Sequence, residues 1–262
     1  MSVKSETNEQ QASFKLNPDP IIEVVEETGS TNADLLARLS AGEAIPDNYW
    51  LRAERQTSGR GRLGRRWESP TGNLFCSTFV AINDDDPPPH TLCFVVGLAV
   101  SDMLRRSLIA DSQIILKWPN DALVNGCKIA GILLERNGAG VVAGIGVNVC
   151  YAPDVPGRKT TSTAQENGKH GGSPEQILSI LAEEFGCRLS RWRAEPLSKT
   201  LDEWMKVAHP IGSPLTVGSG QDAVSGAFAG LDEEGALLLR LANEAIRTIH
   251  AGDVSMISQG TQ

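Results

Sequence analysis

Residues 114–149 read IILKWPNDALVNGCKIAGILLERNGAGVVAGIGVNV, and this stretch decides the fold class. Ile114 to Lys117 is a short β-rich run stopped by Trp118-Pro119, because a residue before proline is pushed out of helical conformation. Ala122 to Val124, Lys128 to Glu135 and Val141 to Val149 follow as further strands. Asn125-Gly126 and Asn137-Gly138 separate them, the residue pairs that accept positive φ in tight hairpins. Runs joined in this way make mostly antiparallel sheet.

On the N-terminal side, IIEVV (21–25) reads as a strand, and Ser30-Thr31-Asn32 supplies N-cap chemistry for a helix carrying Leu35, Leu36 and Leu39 that stops near Gly42. A short strand near Tyr49 to Ala53 leads into a loop from Gln56 to Glu68, then a strand over Leu74 to Ile82 and a buried helix over Thr91 to Leu108. On the C-terminal side, residues 151–173 form a long Pro-, Gly-, Thr- and Lys-rich loop. Leu178, Leu181, Phe185, Leu189 and Trp192 then make one helical stripe, and a second helical segment runs from Leu197 to Val207. Past His209-Pro210 the pattern changes to short strands: Leu215 to Val217, Ala223 to Leu231, Ala236 to Leu241, Ala245 to His250 and Val254 to Ile257. The expected architecture is α+β: a mixed sheet packed with helices over residues 21–208 and a small β-barrel over 209–262, behind a disordered lead-in over 1–20.

Of the 262 residues 40% are hydrophobic, enough for a substantial core, and the net charge of −8 argues against a protein that coats nucleic acid or anionic membrane. The longest apolar stretch, Leu92 to Val100, falls short of the roughly 20 residues of a membrane span, and the N-terminus has no apolar signal core. Five scattered cysteines without a CxxC pair read as reduced cytosolic thiols, and four scattered histidines offer no transition-metal spacing. A metal, if bound, is an oxygen-bound ion.

Four segments carry candidate chemistry. Residues 54–67, ERQTSGRGRLGRRW, place Arg55, Arg60, Arg62, Arg65 and Arg66 among three glycines in an acidic protein. Glycines let backbone amides close on a ligand and guanidinium forks match phosphate oxygens, which suits a nucleotide polyphosphate; an RNA-binding segment or a solvated loop are the alternatives. In Lys117-Trp118-Pro119-Asn120-Asp121, a lysine ends a strand and Asn120 and Asp121 supply oxygens for hydrated Mg2+ or a ribose, or else form an ordinary turn. Gly144-Ile145-Gly146-Val147-Asn148-Val149 puts small residues on one strand face, fit for a flat ligand or for a tight sheet corner. Gly29-Ser30-Thr31-Asn32 offers hydroxyls and free N–H groups to a polar ligand, or simply caps a helix.

Taken in order, GSTN (29–32), ERQTSGRGRLGRRW (54–67), KWPND (117–121), KIAGILLE (128–135) and GIGVNV (144–149) resemble the biotin protein ligase family. The likeness spans residues 21–257, since the tail ending Gly252-Asp253-Val254-Ser255 is similar to the family's SH3-like C-terminal domain. It implies a cytoplasmic enzyme that converts biotin and Mg·ATP to biotinyl-5'-AMP, then biotinylates a lysine of a biotin carboxyl carrier protein. It assigns Ser30, Thr31, Asn32 and Gln56 to the biotin ureido and ring region, and Arg60, Gly61 and Arg62 to biotin and the adenylate phosphate. Arg65 is placed near the polyphosphate, Trp67 at the adenine side, Asn120 and Asn148 among the ATP-binding residues, and Asp121 at Mg2+. Lys117 is expected to stabilise charge growing on the α-phosphate, with Arg60 and Arg62 as its catalytic companions. The loop from Cys150 to Gly172 lies where the family closes over adenine, with Thr161-Ser162 its suggestive part. The roughly 20 polar residues before the first strand are too few for the helix-turn-helix of transcription-repressing members, so the resemblance implies no DNA binding. The rivals are a lipoate or octanoate ligase or transferase of the same superfamily, and a non-catalytic RNA-binding module.

Overall fold

The computed structural model describes residues 19–109, 111–138, 140–168, 171–218, 220–252 and 254–256; the expected disordered lead-in lies, up to residue 18, outside them. Strand β1 (Ile21–Thr28), helix α1 (Thr31–Ser40) and strand β2 (Tyr49–Gln56) form the one parallel pair of the main sheet, joined by the helical crossover that parallel strands need. β2 runs three residues past the expected strand because pairing with β1 continues to Thr28 and Gln56, and Arg55 meets Glu27 across the two strands. Strand β3 (Leu74–Ala81) and helix α2 (Leu92–Ser107) follow, then β4 (Ile114–Lys117), β5 (Asp121–Val124), β6 (Cys127–Asn137) and β7 (Gly140–Val147). The order is β1-β2-β3-β7-β6-β5-β4, antiparallel everywhere except at β1–β2.

The expected loop over 151–173 contains a short helix, α3 (Thr163–Glu166), started by Ser162, whose side chain accepts from the Gln165 N–H. Helices α4 (Pro174–Ala194) and α5 (Leu197–Lys206) complete the larger unit. The second unit is a five-stranded antiparallel sheet of β8 (Pro214–Val217), β9 (Val224–Leu231), β10 (Leu237–Arg240), β11 (Ile246–Ile249) and β12 (Val254–Met256), in the order β11-β10-β9-β8-β12. It is the SH3-like C-terminal domain expected from the sequence.

Two apolar layers sandwich the main sheet. On one face α2, α4 and α5 bury Trp50, Leu98, Leu181 and Trp192; edge-to-face pairs Trp50–Phe185 and Phe94–Trp204, each with centroids 5.4 Å apart, fix their orientation. On the other face α1 packs Leu35 against Leu51, Phe79 and Val142. The first layer continues without a break into Leu215, Val217, Phe228, Leu237 and Leu239 of the C-terminal unit, so the two units share one core. Trp118 Nε1 closes the junction by donating to the Gly235 carbonyl at 3.1 Å.

Asn73 pins the start of the long loop. Its buried Oδ1 accepts from the N–H groups of Val149, Cys150 and Tyr151 at 2.9, 3.0 and 3.0 Å, and its Nδ2 donates to the Tyr151 carbonyl at 2.8 Å. Asn73→Ala strands these donors, so urea unfolding is expected to show a loss of about 3 kcal/mol. Asn73→Asp keeps the acceptor and is expected to retain more than half of that stability.

Candidate active site

One rung of the sheet organises the site. Cross-strand pairing aligns Lys117 with Asp121, Asp121 with Gly131, Gly131 with Gly146, and Gly146 with Phe75. Residues opposite each other in a sheet share a face, here the face that α1 covers. Gly144 lies two residues before Gly146, on the same face. The glycines form a floor against which other groups lie directly. A Cβ on Gly144 would stand 2.3 Å from Asn32 Oδ1, and one on Gly146 would stand 2.6 Å from the Trp67 indole. The space that the GIG alternation leaves above the strand is filled by the chain's own Asn32 and Trp67.

Above the floor the GSTN segment meets Gln56. Gln56 Oε1 accepts from the Thr31 N–H at 2.8 Å and Thr31 Oγ1 at 3.2 Å, while its Nε2 donates to Ser69 Oγ at 3.2 Å. Thr31 Oγ1 and Ser77 Oγ are 2.6 Å apart, Ser77 donates to Asn32 Oδ1 at 2.6 Å, and Asn32 Nδ2 donates to Glu135 Oε2 at 2.8 Å. Ser30 occupies the N-cap position, yet its side chain makes no capping bond. Ser30, Thr31 and Asn32 are buried, and Gln56, half-buried, bonds Thr31 beside them.

At the other end Asp121 is buried among cations. Lys128 Nζ contacts Oδ1, while Lys117 Nζ lies 3.4 Å and Arg158 Nη1 4.0 Å from Oδ2. Burial pushes the Asp121 carboxyl up, but the charges of Lys128, Lys117 and Arg158 outweigh it and hold the group below the usual carboxylate range. For Lys128 burial wins over the pull of Asp121, and its pKa falls below that of an ordinary lysine. Lys128 also sits over the Trp67 ring, 5.1 Å from the centroid, and beside Gly131. The cation at the floor is thus Lys128, whereas Lys117 holds the other carboxylate oxygen and lies near His209, whose pKa burial and the Lys117 charge lower to about 4.

This arrangement corrects the assignment of Asp121 to magnesium. Its oxygens are already engaged by ammonium groups, and among the described residues no cluster of three or more His, Cys, Asp or Glu is placed to hold a metal. The site does not fit a protein-held divalent ion.

The arginine segment folds back on itself instead of lying as an open loop. Trp67 N–H donates to the Gly59 carbonyl at 2.9 Å, Gly61 N–H to Arg65 O at 2.7 Å, and a 3-10 turn spans Arg62–Gly64. Arg62 reaches inward, donating to Asn120 Oδ1 at 3.4 Å and to the Gly252 carbonyl at 3.1 Å, while Arg60, Arg65 and Arg66 are exposed. Asn120 Nδ2 is tied to the Ile132 carbonyl at 2.8 Å, and Asn148 Nδ2 to the Thr161 carbonyl at 2.9 Å. Asn148 therefore braces the long loop. Thr161 and Ser162 open α3: Thr161 Oγ1 donates to Glu166 Oε1 at 2.6 Å.

Sequence reading did not single out Lys128, Ser77, Glu135 or Arg158. Lys128 and Glu135 open and close KIAGILLE, and Ser77 is a polar residue inside the apolar strand LFCSTFVA, signals that were present but not weighted. Arg158 comes from an irregular loop with no pattern to mark it.

Asp121→Asn leaves buried Lys128 and part-buried Lys117 without a counter-ion and is expected to destabilise the fold by about 3 kcal/mol at pH 7. Because the folded-state carboxyl titrates below its ordinary value of 3.8, its contribution is complete above that pH and fades as the pH falls through the lower folded-state value. Melting curves of wild type and variant should therefore converge only in acid.

Residues 25–150 match the Biotin/lipoate A/B protein ligase family, and residues 211–256 match the Biotin protein ligase C terminal domain. The chain is 36% identical over 226 residues to the biotin–acetyl-CoA-carboxylase ligase of Paracoccus denitrificans, covering 81% of this chain and 91% of that protein. It is 37% identical over 240 residues to the enzyme of the same name from Mycobacterium tuberculosis, covering 89% and 88%. The biotin protein ligase of Aquifex aeolicus, solved in complex with biotin and ATP, superposes with a TM-score of 0.76 at 26% identity over 90% of this chain and 98% of that one. On both sequence and fold, the chain belongs to the biotin protein ligase family.

Proposed function

We propose that this chain is an ATP-dependent biotin protein ligase. The carrying observation is a glycine floor with a buried donor–acceptor set at one end and Lys128, Lys117 and Arg158 gathered at the other. The polar end suits the ureido ring of biotin, and the cationic end suits a carboxylate meeting a phosphate. In the first step a biotin carboxylate oxygen attacks the α-phosphorus of ATP, the bond to the β-phosphate oxygen breaks, and biotinyl-5'-AMP and pyrophosphate form. In the second, the amine of an acceptor lysine attacks the acyl carbon, AMP leaves, and an amide remains. The acceptor is a lysine of a biotin carboxyl carrier protein, the acetyl-CoA carboxylase subunit that the relatives' names point to.

Ser30, Thr31, Asn32 and Gln56 read the ureido group. Lys128 takes the role first given to Lys117, stabilising charge that grows on the α-phosphate, and Lys117 and Asp121 hold it in place. Arg62 faces the phosphates, Arg60 and Gly61 close over biotin and the adenylate, Arg65 meets the polyphosphate, and Trp67 turns its indole to the adenine side. Asn120 and Asn148 brace the ATP-side walls, and magnesium arrives with ATP as part of the substrate. The setting is cytoplasmic, consistent with five free cysteines. Among the described residues no helix is long and apolar enough to cross a membrane.

ATP–pyrophosphate exchange with biotin, lipoate or octanoate as the only acid tests the substrate. Exchange is expected with biotin; exchange with lipoate or octanoate instead assigns the chain to the lipoate branch of the superfamily. Lys128→Ala is expected to slow adenylate formation about 100-fold with biotin affinity within a few-fold of wild type, because it acts on charge developing in the transition state. Equal losses in affinity and rate mean that it serves ground-state binding only. Trypsin provides a further check, since exposed Arg60, Arg65 and Arg66 are cleavage sites. Biotin plus ATP should protect them, and a cleavage rate indifferent to both ligands removes the arginine segment from the site.

A further inference from the structure

Arg62 is the arginine of its segment that crosses to the C-terminal unit, and it does so through neutral oxygens. Its Nη1 is shared by Asn120 Oδ1 at 3.4 Å and the Gly252 carbonyl at 3.1 Å. Arg52 and Arg55, by contrast, are paired with Glu54 and Glu27. A neutral acceptor fixes a guanidinium without neutralising it, so the charge stays available to an anion. Gly252 lies between β11 and β12, and Val254 of β12 pairs with Val217 of β8. A Cβ on Gly252 would stand 2.8 Å from Val217 Cγ1 and 3.8 Å from Ile249 Cγ2. Val217 is buried and branched, with little rotamer freedom, so a side chain at position 252 forces a shift in Val217 or in the Gly252 backbone.

We infer that Gly252 is a positioning residue for the first half-reaction: lacking a side chain, it fits beside Val217 with its carbonyl aiming Arg62, which among the described residues has no carboxylate partner, at the ATP phosphates from across the domain junction. The inference rests on the proposed reading of Arg62 as phosphate-facing. It gives the C-terminal unit a part in adenylation, carried by one hydrogen bond.

The test is ATP–pyrophosphate exchange on the full chain with Gly252→Ala, Val217→Ala, the double variant, and Gly252→Ala combined with Arg62→Ala. Gly252→Ala is expected to raise the KM for ATP about tenfold while biotin affinity stays unchanged. Val217→Ala alone should stay within about twofold of wild type, and adding it to Gly252→Ala should restore the ATP KM by relieving the clash. In the Arg62→Ala background, Gly252→Ala should add nothing, a coupling that general loosening of the barrel does not produce. If Arg62→Ala leaves the ATP KM unchanged, the phosphate-facing reading is wrong. If Arg62→Ala impairs it while Gly252→Ala is silent, or Gly252→Ala costs as much without Arg62 as with it, the positioning role is overturned. Should Gly252→Ala fold poorly, the double variant decides: a folded double variant with a still-raised ATP KM also overturns it.

Discussion

The site depends on a buried ion cluster. Asp121 gives Lys117 and Lys128 a reason to be charged inside the protein, and they give it a reason to be ionised. Burial opposes the charge on both Asp121 and Lys128, and each offsets part of that cost for the other, because an isolated ion out of water costs several kcal/mol even after relaxation. Three cations around one carboxylate leave a net positive charge in a region of low dielectric, where it acts on an incoming anion more strongly than the same charge in solvent. The chain is acidic as a whole, so this local field must come from placement and not from composition.

That placement is a property of the sheet. Lys117 and Asp121 face each other because the chain reverses across Trp118-Pro119-Asn120, and pairing of β5 with β6 brings Asp121 against Gly131. The register slips between Ala122 and Leu123, which sets Lys128 opposite Leu123. Such an irregularity redirects side chains without altering the hydrophobic pattern. It lets Lys128, seven residues from Asp121, reach the same carboxylate as Lys117.

Much of the fold was legible in the residues. The Asn-Gly pairs, the apolar runs of 114–149 and the stripe from Leu178 to Trp192 are local signals, and the elements they imply are the ones present. The GSTN segment, Gln56 and the GIG glycines were also legible, since hydroxyls, amides and missing side chains state their chemistry one residue at a time. Which of the two lysines lies beside the glycine floor was not. It turns on the slipped register and on which carboxylate oxygen each reaches, and neither leaves a trace in spacing. The length of β2 was hidden for a related reason, because Glu54-Arg55-Gln56 is poor strand sequence that becomes strand through its partner β1. The shared core was hidden too: alternating apolar residues in the C-terminal strands reveal a buried face without saying what covers it.

The rung through the site also bears on how the molecule reaches its active form. Its members come from β4, β5, β6, β7 and β3, and the Gly146–Phe75 contact joins strands between which α2 and three other strands are made. Closing such a long loop is entropically costly and comes late relative to the nearby hairpins. The hairpin of β6 and β7 can form locally and present Gly131, Gly144 and Gly146 with the Glu135 acceptor for Asn32, yet without β3 it lacks the Ser77 hydroxyl that joins Thr31 to Asn32. The site is thus assembled by the pairing of β3 with β7, the most distant in the main sheet, and not by a local hairpin alone.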